Sequence, residues 1–208
     1  MFLYALVTVC CTFEGVLTLS DIDMILPEHL RSFVYYYGAF WPGLLDNWKP
    51  NYAAQPYLMF ITHVFLHTGL VHLTVNMITL CSLGSVVLNR VGQGRFIFLY
   101  TISALGGGIG FAYLAENLQP MVGASGALFG LLGAILAWEF QDSREDREAL
   151  RYLAVAIFLL IVLNLVYWWA MKGQLAWQAH LGGFLFGGIA AIAIGRRTPD
   201  DENPTKTS

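Results

Sequence analysis

The chain has 208 residues, 57% of them hydrophobic and only 12% charged, with a mean hydropathy of +0.59. That balance excludes an ordinary soluble domain and places most of the chain in a bilayer; a net charge of −3 gives no reason to expect nucleic acid as a partner. Cys10 and Cys11 are adjacent and Cys81 stands alone, so neither a disulfide framework nor a C-x-x-C metal site is on offer.

A membrane helix needs about 20 mostly apolar residues, and the chain supplies about six such stretches. They lie near 2–19, 65–88, 96–115, 124–140, 152–171 and 176–195. The first lacks a basic n-region and a small-residue cleavage site, which reads as a retained span rather than a signal peptide. Between the first and second, about residues 20 to 60, the chain is rich in aromatics and prolines (Tyr35, Tyr36, Tyr37, Trp41, Pro42, Trp48, Pro50, Pro56, Tyr57). Such a composition suits a loop packed at headgroup level. The expected fold is an all-α bundle of six transmembrane helices with a long interfacial first loop. Residues 1–197 read as one membrane domain, and the polar tail 198–208 as a disordered cytoplasmic segment.

Polar residues inside spans are expensive and therefore functional candidates. The second stretch carries "THVFLHTGLVHLTVNM", with His63, His67, His72 and Asn76. His72 and Asn76 are four apart and share a helical face. The fourth stretch opens with "MVGASGALFG", which sets Ser125 between glycines at a helix start. In the sixth, "QAHLGGFLFGG" places His180, Gly183 and Gly187 on one stripe, and Gly126, Gly130 and Gly133 match it on the serine helix. Small residues at that spacing let two helix backbones approach closely. For "SALGGGIG" such spacing reads as helix packing alone, and a lone serine more often back-bonds to its own helix than does chemistry. Three unusual constellations converging on one membrane face favour a site.

Cations set the orientation. With both ends cytoplasmic, Arg90, Arg95, Arg144, Arg147, Arg151, Arg196, Arg197 and Lys206 are inside, leaving Arg31, Lys49 and Lys172 outside. The aromatic loop and the connections before Ser125 and His180 then face outward.

Serine is a weak nucleophile until a base takes its proton, and His180 is the span histidine outside the second-stretch cluster. A Ser125–His180 dyad is the economical proposal. The oxyanion would be met by the Ser125 N–H at a helix N-terminus and by the His72 and Asn76 side chains. Gly123 suits a tight entry turn with φ > 0, and Gly126 clears room for substrate or for the helix bearing His180.

The chain resembles the rhomboid intramembrane serine proteases. Three motifs carry the resemblance: "HVFLHTGLVHLTVN" for H-x-x-x-H plus H-x-x-x-N, "GASG" for G-x-S-G, and "AHLGGFLFG" for A-H-x-x-G-x-x-x-G. The likeness extends to the "RVGQGRF" turn between spans two and three. It implies that Ser125 is the nucleophile, His180 the general base and acid, and His72, Asn76 and the Ser125 amide the oxyanion hole. Gly123, Gly126, Phe129, Gly183, Gly187 and His67 would support them. It further implies a water-filled cavity, substrate entry near the fifth span, transmembrane protein substrates, contact with membrane lipids, no metal and no cofactor. Placement would be the bacterial inner membrane.

Three positions depart from the family pattern. "PYLMFITH" stands where a Trp-Arg pair is common, Leu88 stands where many members carry a glutamate, and Phe129 replaces a frequent tyrosine. The first two bear on loop anchoring and stability.

Rival readings are weaker. A haem protein would want axial histidines facing one another across helices. A zinc-dependent intramembrane protease would need H-E-x-x-H, and "HVFLH" has Val64 at the glutamate position. An aspartyl type would need carboxylates within spans, which this reading does not find. The surviving alternative is a catalytically inactive rhomboid-like protein that binds or chaperones membrane proteins, which normally lacks the serine or the histidine.

Overall fold

The structure, a computed structural model, describes residues 1–22, 29–116, 119–170, 172 and 174–194. The tail expected to be disordered, 198–208, lies outside the described residues. The described chain is all-α. Helix α1 (Phe2–Asp21) is followed by the loop helices α2 (Leu30–Gly38) and α3 (Gln55–Thr62), with short 3₁₀ turns at Pro42–Leu45 and His63–Phe65. Then come α4 (Leu70–Leu114), α5 (Ser125–Ser143), α6 (Arg147–Ala170) and α7 (Trp177–Ile194).

Helix α4 runs to 45 residues and is broken at Gly92, whose φ of 78° and ψ of 172° are not helical. A residue with a side chain is strained at that φ, so the glycine of "RVGQGRF" lets the chain turn between arms 70–91 and 93–114. These arms stand where the second and third stretches were read. By length and composition alone, four described helices are fit to cross a membrane: α1, α4 counted once, α6 and α7. Helix α5 falls outside that set, since its serine, glycines and polar end (Glu139, Gln141, Asp142) dilute its apolar content.

The second stretch also starts later than its hydropathy implies. His63 sits in a 3₁₀ turn, Leu66 is extended, and α4 begins only at Leu70. His72 and Asn76 therefore share a helix, while His63 and His67 belong to the link before it.

Helices α4, α5 and α7 form the centre of the bundle, and α1 packs on α4. Leu3, Leu6, Cys10, Glu14 and Leu17 recur at three- or four-residue steps and are the buried face of α1. The other face is lipid-directed. Among the long helices α6 is the least covered: of its residues of described burial only Leu153 is buried, while Phe158, Leu159, Leu165 and Trp169 are exposed.

One carboxylate does lie inside the first span, against the sequence reading. Glu14 is fully buried and is met by Arg31 of α2, whose Nη2 stands 2.8 Å from Oε1 and whose Nη1 donates to Oε2 at 3.0 Å. Arg31 also donates to the His67 carbonyl at 2.8 Å and to Asp21 at 2.7 Å. Tyr35 donates its hydroxyl to the same His67 carbonyl at 2.6 Å, and burial pushes its phenol up, which keeps it a neutral donor. This cluster ties the long loop to α1 and to the link before α4. It anchors the loop where "PYLMFITH" lacks the Trp-Arg pair. Further along, Phe40 is fully buried and forms an antiparallel bridge with Met121, each N–H reaching the other's carbonyl at 2.9 Å. Near the Gly92 turn Leu88 packs on the main core, and Arg90 pairs with Asp142 at 2.9 Å while lying over the Trp138 ring.

Breaking a buried ion pair from one side leaves the other charge uncompensated, whereas replacing both partners by apolar groups is often near neutral. Arg31→Met is therefore expected to destabilise the protein by about 3 kcal/mol, and Arg31→Met with Glu14→Leu to recover most of that loss. Thermal unfolding in detergent checks this. Equal losses in the single and double variants would show that the ion pair is not what holds the loop.

Candidate active site

Ser125 is the first residue of α5, so its N–H has no acceptor within the helix. The turn that delivers it is pinned from two sides. Met121 is bridged to Phe40, and the Gly123 N–H donates to the His63 carbonyl at 3.0 Å. Gly123 has φ +124°, a conformation that side chains rarely adopt. A Cβ there would also stand 2.8 Å from His72 Cε1 and 3.0 Å from its Nε2. The open glycine thus lets the His72 ring lie beside the serine turn.

The half-buried Ser125 hydroxyl meets His180 of α7: Oγ to Nε2 is 2.9 Å. This distance depends on the small residues behind it. A Cβ on Gly183 would run into the Gly126 carbonyl, and one on Gly187 into the Gly130 carbonyl. Gly133 bears in the same way on the Phe184 carbonyl. Phe129, one turn after the serine, stacks flat on the imidazole of His180, with centroids 4.1 Å apart and planes within 5°. The ring survives without the hydroxyl that a tyrosine would add.

The other ring nitrogen of His180 has a partner that the sequence reading missed. Nδ1 lies 2.7 Å from Oδ1 of Asn164, on α6, and Asn164 Nδ2 donates to the Leu160 carbonyl at 3.1 Å. A lone asparagine in the apolar run "LLIVLNLVYWW" was the available signal. Intramembrane amides are rare enough to question.

His72 is directed by its neighbours. The Thr68 N–H and hydroxyl both meet Nδ1, at 3.4 and 3.1 Å; with Nδ1 as their acceptor, the neutral ring's proton sits on Nε2, the nitrogen beside Gly123. Asn76 is buried, and its Nδ2 donates to the His72 carbonyl at 2.9 Å. Among the described hydrogen bonds it meets its own helix and not Ser125. His67 is fully buried and stands edge-on to His72, with centroids 5.2 Å apart; its carbonyl holds Arg31 and Tyr35. His63 lies behind the serine turn, its Nδ1–H donating to the Met59 carbonyl at 2.7 Å.

A hydroxyl within hydrogen-bond reach of an imidazole, at a helix start and beside a turn packed on a second imidazole, is an arrangement suited to acyl transfer.

Comparison with known sequences agrees in kind. A family model described as the Rhomboid domain matches residues 54–197. The chain is 34% identical over 135 residues to rhomboid protease GluP of Bacillus subtilis, covering 65% of this chain and 25% of that protein. It is 35% identical over 149 residues to RHOMBOID-like protein 6, mitochondrial, of Arabidopsis thaliana, covering 70% and 46%. With putative rhomboid protease YdcA of Bacillus subtilis it shares 28% identity over 189 residues, covering 88% and 87%. The chain thus spans less than half the length of several of the relatives it matches, and nearly all of another.

Proposed function

The chain belongs to the rhomboid family and is an integral membrane protein, and from that premise we propose that it is a serine endopeptidase that cuts transmembrane proteins within the bilayer. The observation that carries this is the 2.9 Å approach of Ser125 Oγ to His180 Nε2. His180 takes the hydroxyl proton as Oγ attacks the substrate carbonyl, and then returns it to the leaving amine. Water hydrolyses the resulting acyl-enzyme by the same route. The Ser125 N–H, the His72 Nε2–H and the second Asn76 Nδ2–H receive the oxyanion, the first Asn76 amide hydrogen being held by the His72 carbonyl. Retention of both Ser125 and His180 disfavours the inactive, chaperone-like alternative.

A fluorophosphonate probe tests enzyme against scaffold without any knowledge of substrate. Wild-type protein in detergent is expected to be labelled at Ser125, and Ser125→Ala not at all. In a cleavage assay Ser125→Ala, His180→Ala and the double variant should lose activity to the same degree, because members of one catalytic unit are non-additive. Losses that add in the double variant would assign the two residues separate roles.

The six spans are the two arms of α4 with α1, α5, α6 and α7, and both termini are cytoplasmic, supported by the eight-to-three distribution of cations. Reporter fusions within 141–150 and after Arg197 are expected to read as cytoplasmic, and one near Asn117 as external. An external reading after Arg197 would overturn the count.

The substrates are single-span proteins with an external N-terminus, cut near the outer surface. A peptide carbonyl in a membrane helix is already hydrogen-bonded, so the segment must unwind before attack. Gly weakens a helix interior by about 1 kcal/mol and Pro by about 3 relative to Ala. Replacing such residues just beyond the cut site by Leu should slow cleavage in liposomes strongly, and the same change near the cytoplasmic end should matter little. Equal rates for the two replacements would count against unwinding.

A further inference from the structure

We propose that Asn164 of α6 is a positioning residue for the Ser125–His180 pair, accepting the Nδ1 proton of His180 so that Nε2 faces the serine as a base. The inference rests on the proposed function and adds a third group to what the sequence presents as a dyad.

The polarity of the chain of bonds follows from its outer end. Asn164 Nδ2 donates to the Leu160 carbonyl, a group that can only accept. The amide is thereby held in one orientation, with Oδ1 toward His180 at 2.7 Å. An amide oxygen can only accept, so the proton of a neutral imidazole must sit on Nδ1. Nε2 then carries the lone pair, 2.9 Å from Ser125 Oγ, and the hydroxyl donates to it. The opposite tautomer would set a lone pair against the Asn164 oxygen and an N–H against the serine, which disables the base. When His180 takes the serine proton, both ring nitrogens bear hydrogen and Nδ1–H stays on Asn164, so the imidazolium keeps its orientation until Nε2 gives the proton to the leaving amine nitrogen. Phe129 fixes the plane of the ring and Asn164 fixes its rotation within that plane.

The placement on α6 has a consequence. This helix packs chiefly on α5 and buries little of its own surface, so the hydrogen bond to His180 joins the least covered of the long helices to the base. The base is oriented only while α6 is docked.

The test measures the second-order rate of fluorophosphonate labelling against pH for wild type, Asn164→Ala and Asn164→Asp, with thermal unfolding followed in parallel. Asn164→Ala is expected to label about tenfold more slowly or worse, the worth of one hydrogen bond in a low-dielectric site. Asn164→Asp should restore much of the rate, because a carboxylate also accepts from Nδ1–H, and should move the acid limb of the profile to higher pH by stabilising the imidazolium. Asn164→Ala labelling at the wild-type rate would overturn the proposal. So would two variants equally slow with the wild-type limb unchanged, the pattern of a purely structural tie. If Asn164→Ala does not fold, Asn164→Asp decides alone, and an unmoved acid limb overturns the proposal. Failure of the wild type to label would instead overturn the proposed function, and this inference with it.

Discussion

The contact on which the rest depends is backbone against backbone, where α5 crosses α7. In hydrocarbon, apolar side chains gain little by meeting one another rather than lipid, so helix association rests on close packing and on polar contacts. Gly183 over the Gly126 carbonyl and Gly187 over the Gly130 carbonyl leave no room for even a methyl group. Ser125 and His180 stand at one end of this seam. Were the axes held apart by ordinary side chains, an imidazole and a serine hydroxyl on facing helices would not close to 2.9 Å. Packing and chemistry are thus one constraint here, and the small residues serve both.

A second constraint acts from above the seam. The turn before Ser125 has no regular secondary structure of its own, and it is held by the Phe40–Met121 bridge and by the His63 carbonyl. Both supports come from the long loop and the link that follows it. That loop is in turn fastened by Arg31, which holds Glu14 in α1 and the His67 carbonyl at once. The buried carboxylate is therefore joined through one arginine to the strand of chain beside His72. An ion pair of this kind contributes little net stability compared with apolar packing, but it fixes one geometry and disfavours others.

How much of this was legible in the sequence depended on whether a feature is local. The all-α class follows from composition. The turn at Gly92 sits in a short polar stretch between two apolar ones, and the glycine stripes show in residue spacing alone. The start of α4 was harder, because apolar residues run unbroken from Val64 through Leu66 while the backbone there is 3₁₀ and extended. Glu14 was overlooked because one carboxylate barely alters the hydropathy of a 20-residue helix, and its partner stands on a different element. Asn164 was hidden for a similar reason. An asparagine with a bond to the carbonyl four residues back is complete by itself, and only the fold brings His180 to its other end.

An amide rather than a carboxylate beside His180 also fits the surroundings. A carboxylate costs more to desolvate than an amide, and that cost falls as further donors meet it. Around Asn164 the described neighbours on α6 are Leu160, Ile161, Leu163 and Leu165, none of which has a side chain able to donate. Glu14, by contrast, has Arg31 and Thr18 against it. The chain thus places its buried charge where a cation from the interfacial loop reaches it, and a neutral acceptor where the helix faces lipid. A neutral acceptor stabilises the imidazolium less than an anion would, so it acts through orientation. That role requires α6 to be in place, which links the state of the base to the least covered of the long helices.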